Sequence, residues 1–162
     1  MIIHSPITDS MISLARIKSD EMGELHNSIR SGEGNFVGFL GELVVANYLN
    51  CQIENTYDYD LIHMGVNIDV KTKQCTSAPK PHYECSVAAF NTRQKCQAYV
   101  FVRVCNKDAW ILGWESKKRY FQNSTFLRKG QIDRSNNFTV KADCYNMKIE
   151  NLKCVSKLRM EI

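Results

Sequence analysis

The run from Ala98 to Cys105 constrains this chain most: Tyr99, Val100, Phe101, Val102 and Val104 are apolar and only Arg103 interrupts them. A strand apolar on both of its alternating faces must be covered on both. The run therefore predicts a central strand with a layer on each side. A turn at Asn106-Lys-Asp108 leads to a second apolar run, Ala109 to Trp114. With 162 residues, 44% of them hydrophobic and 23% charged, the chain can bury such a core as one domain without disulfides or a structural metal.

Several classes drop out at once. No stretch reaches the ~18 apolar residues of a membrane helix, and the richest one, Phe36 to Leu49, carries Glu42 in its middle. No membrane partner is expected. Met1-Ile-Ile-His-Ser-Pro6 lacks a basic region followed by an apolar core, so no secretory signal is expected. Seven cysteines, an odd number with no C-x-x-C pair, suit reduced thiols in a cytoplasm. Cys75, His82 and Cys85 lack the fourth ligand and the spacing of a zinc site. The net charge of +4 permits nucleic acid as a partner without choosing it.

Along the chain, Thr8 or Asp9 can cap a helix through Lys18, with Gly23 a weak point before Leu25 and Ile29. Gly32 to Asn35 reads as a turn and Phe36 to Leu49 as a helix. Gly38 and Gly41 lower its stability and allow a close approach. After Asn50 the period becomes two. Strands are expected at 53–57, 59–62, 67–72, 82–88, 98–105, 109–114 and 144–149, a short helix at 91–97, a helical turn at 116–121 and a loop at 130–138. The fold class is α/β, a mixed sheet with helices on its faces.

The chemistry gathers at Asp69-Val70-Lys71. An acid and a lysine two apart on a strand leave the same face, about 7 Å apart. The spacing alone is weak, since Glu115-Ser116-Lys117 repeats it and reads as solvated surface. Context adds more. A hairpin loop at His63–Val66 would set Ile62 opposite Asn67, Asp60 opposite Asp69 and Asp58 opposite Lys71. Facing carboxylates repel at ~4.5–5.5 Å unless a cation joins them. Mg²⁺ binds through one or two carboxylates together with waters and phosphate oxygens. The adjacent lysine can orient or help deprotonate an attacking water.

Glu42 within Gly38-Phe-Leu-Gly-Glu-Leu, then Asp60, then Ile68-Asp-Val-Lys71, resembles the PD-(D/E)XK nuclease superfamily and its restriction-endonuclease-like fold, in the small phage and bacterial type. The likeness covers about residues 36–114; the N-terminal helix and the C-terminal segment are additions within a single domain, 1–162. Tyr59 stands where the pattern often has proline, and the Gln-x-x-x-Tyr spacing of some relatives is absent.

The resemblance implies Asp60, Asp69 and the Val70 carbonyl as metal ligands, Lys71 as the catalytic lysine, and Glu42 on a second metal or its water. Asp60 is preferred to Asp58, which is a turn residue or a partner for Lys71. Lys73, Arg93 and Gln94 would contact nucleic acid, Gln94 or Asn91 bracing the site; Lys117 is among further lysines able to meet phosphate. The implied activity is a Mg²⁺-dependent nuclease (Mn²⁺ substituting) that hydrolyses phosphodiester bonds in DNA, with a homodimer left open. The alternative is a catalytically inactive nucleic-acid-binding or protein-interaction module on the same fold.

Overall fold

A computed structural model of the chain describes residues 1–22, 33–134 and 137–159. The elements run β1 (Ile3–Pro6), α1 (Asp9–Met22), α2 (Glu33–Leu49), β2 (Leu61–His63), β3 (Val66–Gln74) and β4 (Glu84–Ala88). A 3₁₀ turn (Ala89–Arg93), β5 (Ala98–Cys105), β6 (Asp108–Ser116) and α3 (Lys117–Asn123) follow. Then come β7 (Thr125–Leu127), β8 (Ile132–Asp133), β9 (Phe138–Thr139) and β10 (Cys144–Lys148), with 3₁₀ turns at Ile149–Asn151 and Val155–Lys157.

β5 is central in a five-stranded sheet of order β1-β6-β5-β3-β2, in which β3 and β5 are parallel and the other pairs antiparallel. Both of its faces are covered. Val100 and Val102 join Ile68, Val70 and Ile111 under Leu40, Val44 and Val45 of α2. Tyr99 and Phe101 join Leu112, Tyr120, Val87 and Met147 on the opposite face. That second layer is not helical throughout, as the sequence suggested. A smaller antiparallel sheet, β4-β10-β7, lies there with the short α3. Each fully buried valine, isoleucine or leucine in these layers contributes about 1.5–3 kcal/mol.

Thr8 caps α1, its Oγ1 accepting from the Met11 amide at 3.2 Å, worth about 1 kcal/mol. The expected turn over Gly32–Asn35 is instead helical from Glu33 onward; Gly32, Gly23, Leu25 and Ile29 lie outside the described residues. The expected strand at 53–57 reduces to one bridge, Ile53 to Leu61. The short helix expected at 91–97 is the 3₁₀ turn Ala89–Arg93. Within the expected loop at 130–138 the chain makes β8, which pairs with β9. β1 and β7 were not legible: each is only a few residues long and pairs with a strand remote in sequence.

The β2–β3 hairpin has the expected register, Ile62 opposite Asn67, but a shorter loop. Met64 and Gly65 make the turn with φ of 48° and 78°, the left-handed pair that fits a two-residue hairpin. α2 meets β3 at Gly41, where a Cβ would fall 1.8 Å from Thr72 Oγ1. Only glycine permits this approach, and the next residue, Glu42, reaches Asp60 just before β2.

Candidate active site

Asp69 and Lys71 leave β3 on the face shared with Tyr99 and Phe101, while Val70 is buried on the helix face. Lys71 Nζ lies 2.6 Å from Asp69 Oδ2, with side-chain exposures of 17% and 6%. Asp69 Oδ2 is buried, and the ammonium is what offsets its charge there. Removing one member of so enclosed a pair strands the other. The ammonium also donates to Gln94 Oε1 at 3.4 Å and stands 5.8 Å over the Tyr99 ring.

Asp60 is fixed through its own backbone. Its amide donates to the Ile68 carbonyl at 2.8 Å, and its carbonyl accepts from Glu54 and Asn55 at 2.7 and 3.3 Å. The side chain turns to β3, Oδ2 accepting from the Val70 amide at 2.8 Å. Asp58 is no partner for Lys71: its Oδ1 accepts from the Lys95 amide at 3.0 Å and anchors the segment that carries Gln94.

Glu42, buried on α2, completes the group. Burial lifts its carboxyl from the ordinary 4.5 to about 7; Lys18 and a hydrogen bond with Asp60 oppose the rise, and the charge of Asp69 adds to it. Asp60 is pushed up to about 9, by burial first and then by Glu42 and Asp69, against the Val70 amide. Glu42 and Asp60, which share a hydrogen bond, titrate as a coupled pair. The three carboxyls sit side by side rather than around a common point, and among the described residues no set of three His, Cys, Asp or Glu side chains stands in a metal-holding array. The donor chemistry nevertheless fits a hard divalent cation: the candidate donors are all oxygens, and the mutual repulsion of closely set carboxylates is what a cation relieves.

Two neighbours were not legible in the sequence. The Asn55 amide, in the orientation that satisfies both sides, donates to Glu42 Oε2 at 2.7 Å and accepts from Lys18 Nζ at 2.6 Å. Lys18 comes from α1, and no spacing links it to the motif. With Glu42 and Asp60 these residues line a cavity of about 450 Å³.

The residues expected to meet nucleic acid are spread out. Gln94 braces Lys71 and donates to the Tyr57 carbonyl at 2.9 Å. Arg93 is exposed on the 3₁₀ turn, and Lys73 is exposed two residues beyond Lys71 on β3. Lys117 is committed to the structure, donating to the carbonyls of Thr92 and Gln94. Nor is Glu115 solvated surface: it is 5% exposed and pairs with Lys153 at 3.2 Å. Its spacing to Lys117 matches Asp69 to Lys71, but the strand ends at Ser116, so the two do not form a second site.

Compared with models of known protein families and with curated proteins, the chain matches none. Among the described residues no helix is long and apolar enough to cross a membrane. All seven cysteines are free.

Proposed function

We propose that this protein is a Mg²⁺-dependent nuclease of the PD-(D/E)XK type that hydrolyses phosphodiester bonds in DNA. The observation that carries the proposal is the gathering of Glu42 from α2, Asp60 from the segment before β2 and Asp69 from β3, beside a lysine held by Asp69 and Gln94. A purely structural ion pair needs one acid for one base. Surplus carboxyls buried beside it have their pKa raised chiefly by desolvation and cost the fold stability when ionised, a pattern that marks functional sites.

Asp60, Asp69 and the Val70 carbonyl would hold the cation, with Glu42 on a second cation or its water. When bound, the cation polarises the phosphoryl group and offsets charge on the leaving oxygen. Lys71, kept in place by Asp69 and Gln94, presents its ammonium to the attacking water and the phosphate. Tyr99 and the buried strand behind it exclude bulk water, which strengthens each of these contacts. The reading carries with it a cytoplasmic setting, which seven free thiols suit. It leaves the homodimer open, and the mass in solution decides it.

Incubation with plasmid, linear and single-stranded DNA tests the proposal. Mg²⁺ or Mn²⁺ should support cleavage, and Ca²⁺ should support binding with little turnover. Undiminished cleavage in excess EDTA would exclude the mechanism. Binding without cleavage under every metal would favour the inactive module.

A further inference from the structure

The seam between the two sheets begins at the candidate site. One cavity of about 310 Å³ has Lys71 and Asn91 at one end and Phe101 and Leu112 in its wall. A second, of about 440 Å³, continues past Tyr83 to Phe138 and Lys141. The two share Lys73, Arg103, Glu84, Ser86 and Cys144, so they are one continuous seam.

We infer that this seam is a track for unpaired DNA, a single strand leaving the site at Lys71 with its phosphates on Lys73, Arg103 and Lys141 and its bases on Tyr83 and Phe138. The inference rests on the nuclease proposal and names the form of its substrate. Alternation of cations with aromatic faces is how proteins hold single strands, because every base has a π-face. Here each pairing is already made: Arg103 lies 5.0 Å over Tyr83 and Lys141 5.9 Å over Phe138. Arg103 is further fixed by Ser77, donating to its carbonyl at 2.8 Å and its hydroxyl at 3.0 Å.

Size points the same way. Cavities of a few hundred Å³ enclose ligands on the scale of a base or nucleotide, and a duplex keeps its base faces inside its own stack. Two exposed aromatics stand by the entrance as well. Phe90, 67% exposed, precedes Asn91, and Tyr57, 75% exposed, lends its carbonyl to Gln94. Glu84 and Asp133 also line the seam, where Glu84 accepts from Asn146 at 3.1 Å and is hydrogen-bonded to Asp133.

The test is fluorescence anisotropy of the full chain in EDTA, with a labelled 20-nucleotide oligothymidylate and a 20-base-pair duplex as probes. The single strand should bind at least tenfold more tightly. Phe138→Ala should weaken it roughly fivefold or more, and Lys73→Glu and Lys141→Glu should each also lower the salt slope by about 0.7. Lys107→Glu, on the exposed β5–β6 turn, should do neither. Equal or tighter duplex binding, or seam variants indistinguishable from wild type, would overturn the track while leaving metal-dependent cleavage to stand. Seam-dependent single-strand binding without cleavage of any substrate would instead overturn the nuclease proposal alone.

Discussion

Two glycines three residues apart on α2 should respond to the same substitution with opposite signs. At Gly38 an added Cβ meets nothing within 4 Å, so Gly38→Ala should gain the helix propensity of alanine, about 1 kcal/mol. At Gly41 the same Cβ would lie 1.8 Å from Thr72 Oγ1 and 2.9 Å from Thr72 Cβ and Cγ2. Overpacking of that kind costs about 1–3 kcal/mol, and an overlap this deep belongs at the upper end. Net of propensity, Gly41→Ala should lose about 1–2 kcal/mol. For a chain of this size 1 kcal/mol shifts Tm by about 2–4 °C. Thermal melts should therefore rise a few degrees for Gly38→Ala and fall by about 2–8 °C for Gly41→Ala. Thr72 Oγ1 is buried without a partner, so Thr72→Ala removes little and should recover part of the loss in the double variant. Because Glu42 follows Gly41 and Lys71 precedes Thr72, the Gly41 variant should also cleave more slowly. A Gly41→Ala protein as stabilised as Gly38→Ala would refute the close approach of α2 to β3.

Further expectations concern charge. Glu42 and Asp60 have folded-state pKa values raised to about 7 and about 9. Their protonated forms favour the fold fully below about pH 4, and that contribution is lost as pH rises through about 7 and then about 9. In EDTA, wild-type Tm should drop across this window more than that of Asp60→Asn, and Mg²⁺ should restore it at the upper end; parallel curves would contradict the buried cluster. Lys71→Ala should cut cleavage by orders of magnitude and leave DNA binding level or slightly weaker, since one phosphate-facing cation is lost. Cleavage at the wild-type rate would remove Lys71 from the mechanism.

Apart from its edge strand β1, the central sheet was legible because its signals are local and strong. The run 98–105 needs cover on both faces, and the hairpin register follows from alternation on either side of Met64-Gly65. The second layer was not: β7 is three residues long and owes its pairing to β10, and the β8–β9 hairpin beyond it has only two residues in each strand. At the site, the hairpin register brings Asp60 to β3, where its carboxylate accepts from the Val70 amide and meets Asp69. Spacing could not separate Asp58 from Asp60, because both are polar positions before the same strand. The separation comes from the Lys95 and Val70 amides each carboxylate accepts. Glu115 to Lys117 shows the reverse: an identical spacing is inert once the strand ends between them.

Asp69→Asn tests the account most directly, assayed on one preparation for both cleavage and binding. The substitution keeps the shape of the side chain, removes one charge from the cluster and takes a ligand from the cation. Mg²⁺-dependent cleavage of labelled DNA should fall by orders of magnitude, while binding in EDTA should equal or exceed that of wild type because one repulsive carboxylate is gone. Full nuclease activity in the purified variant would contradict the assignment of this site.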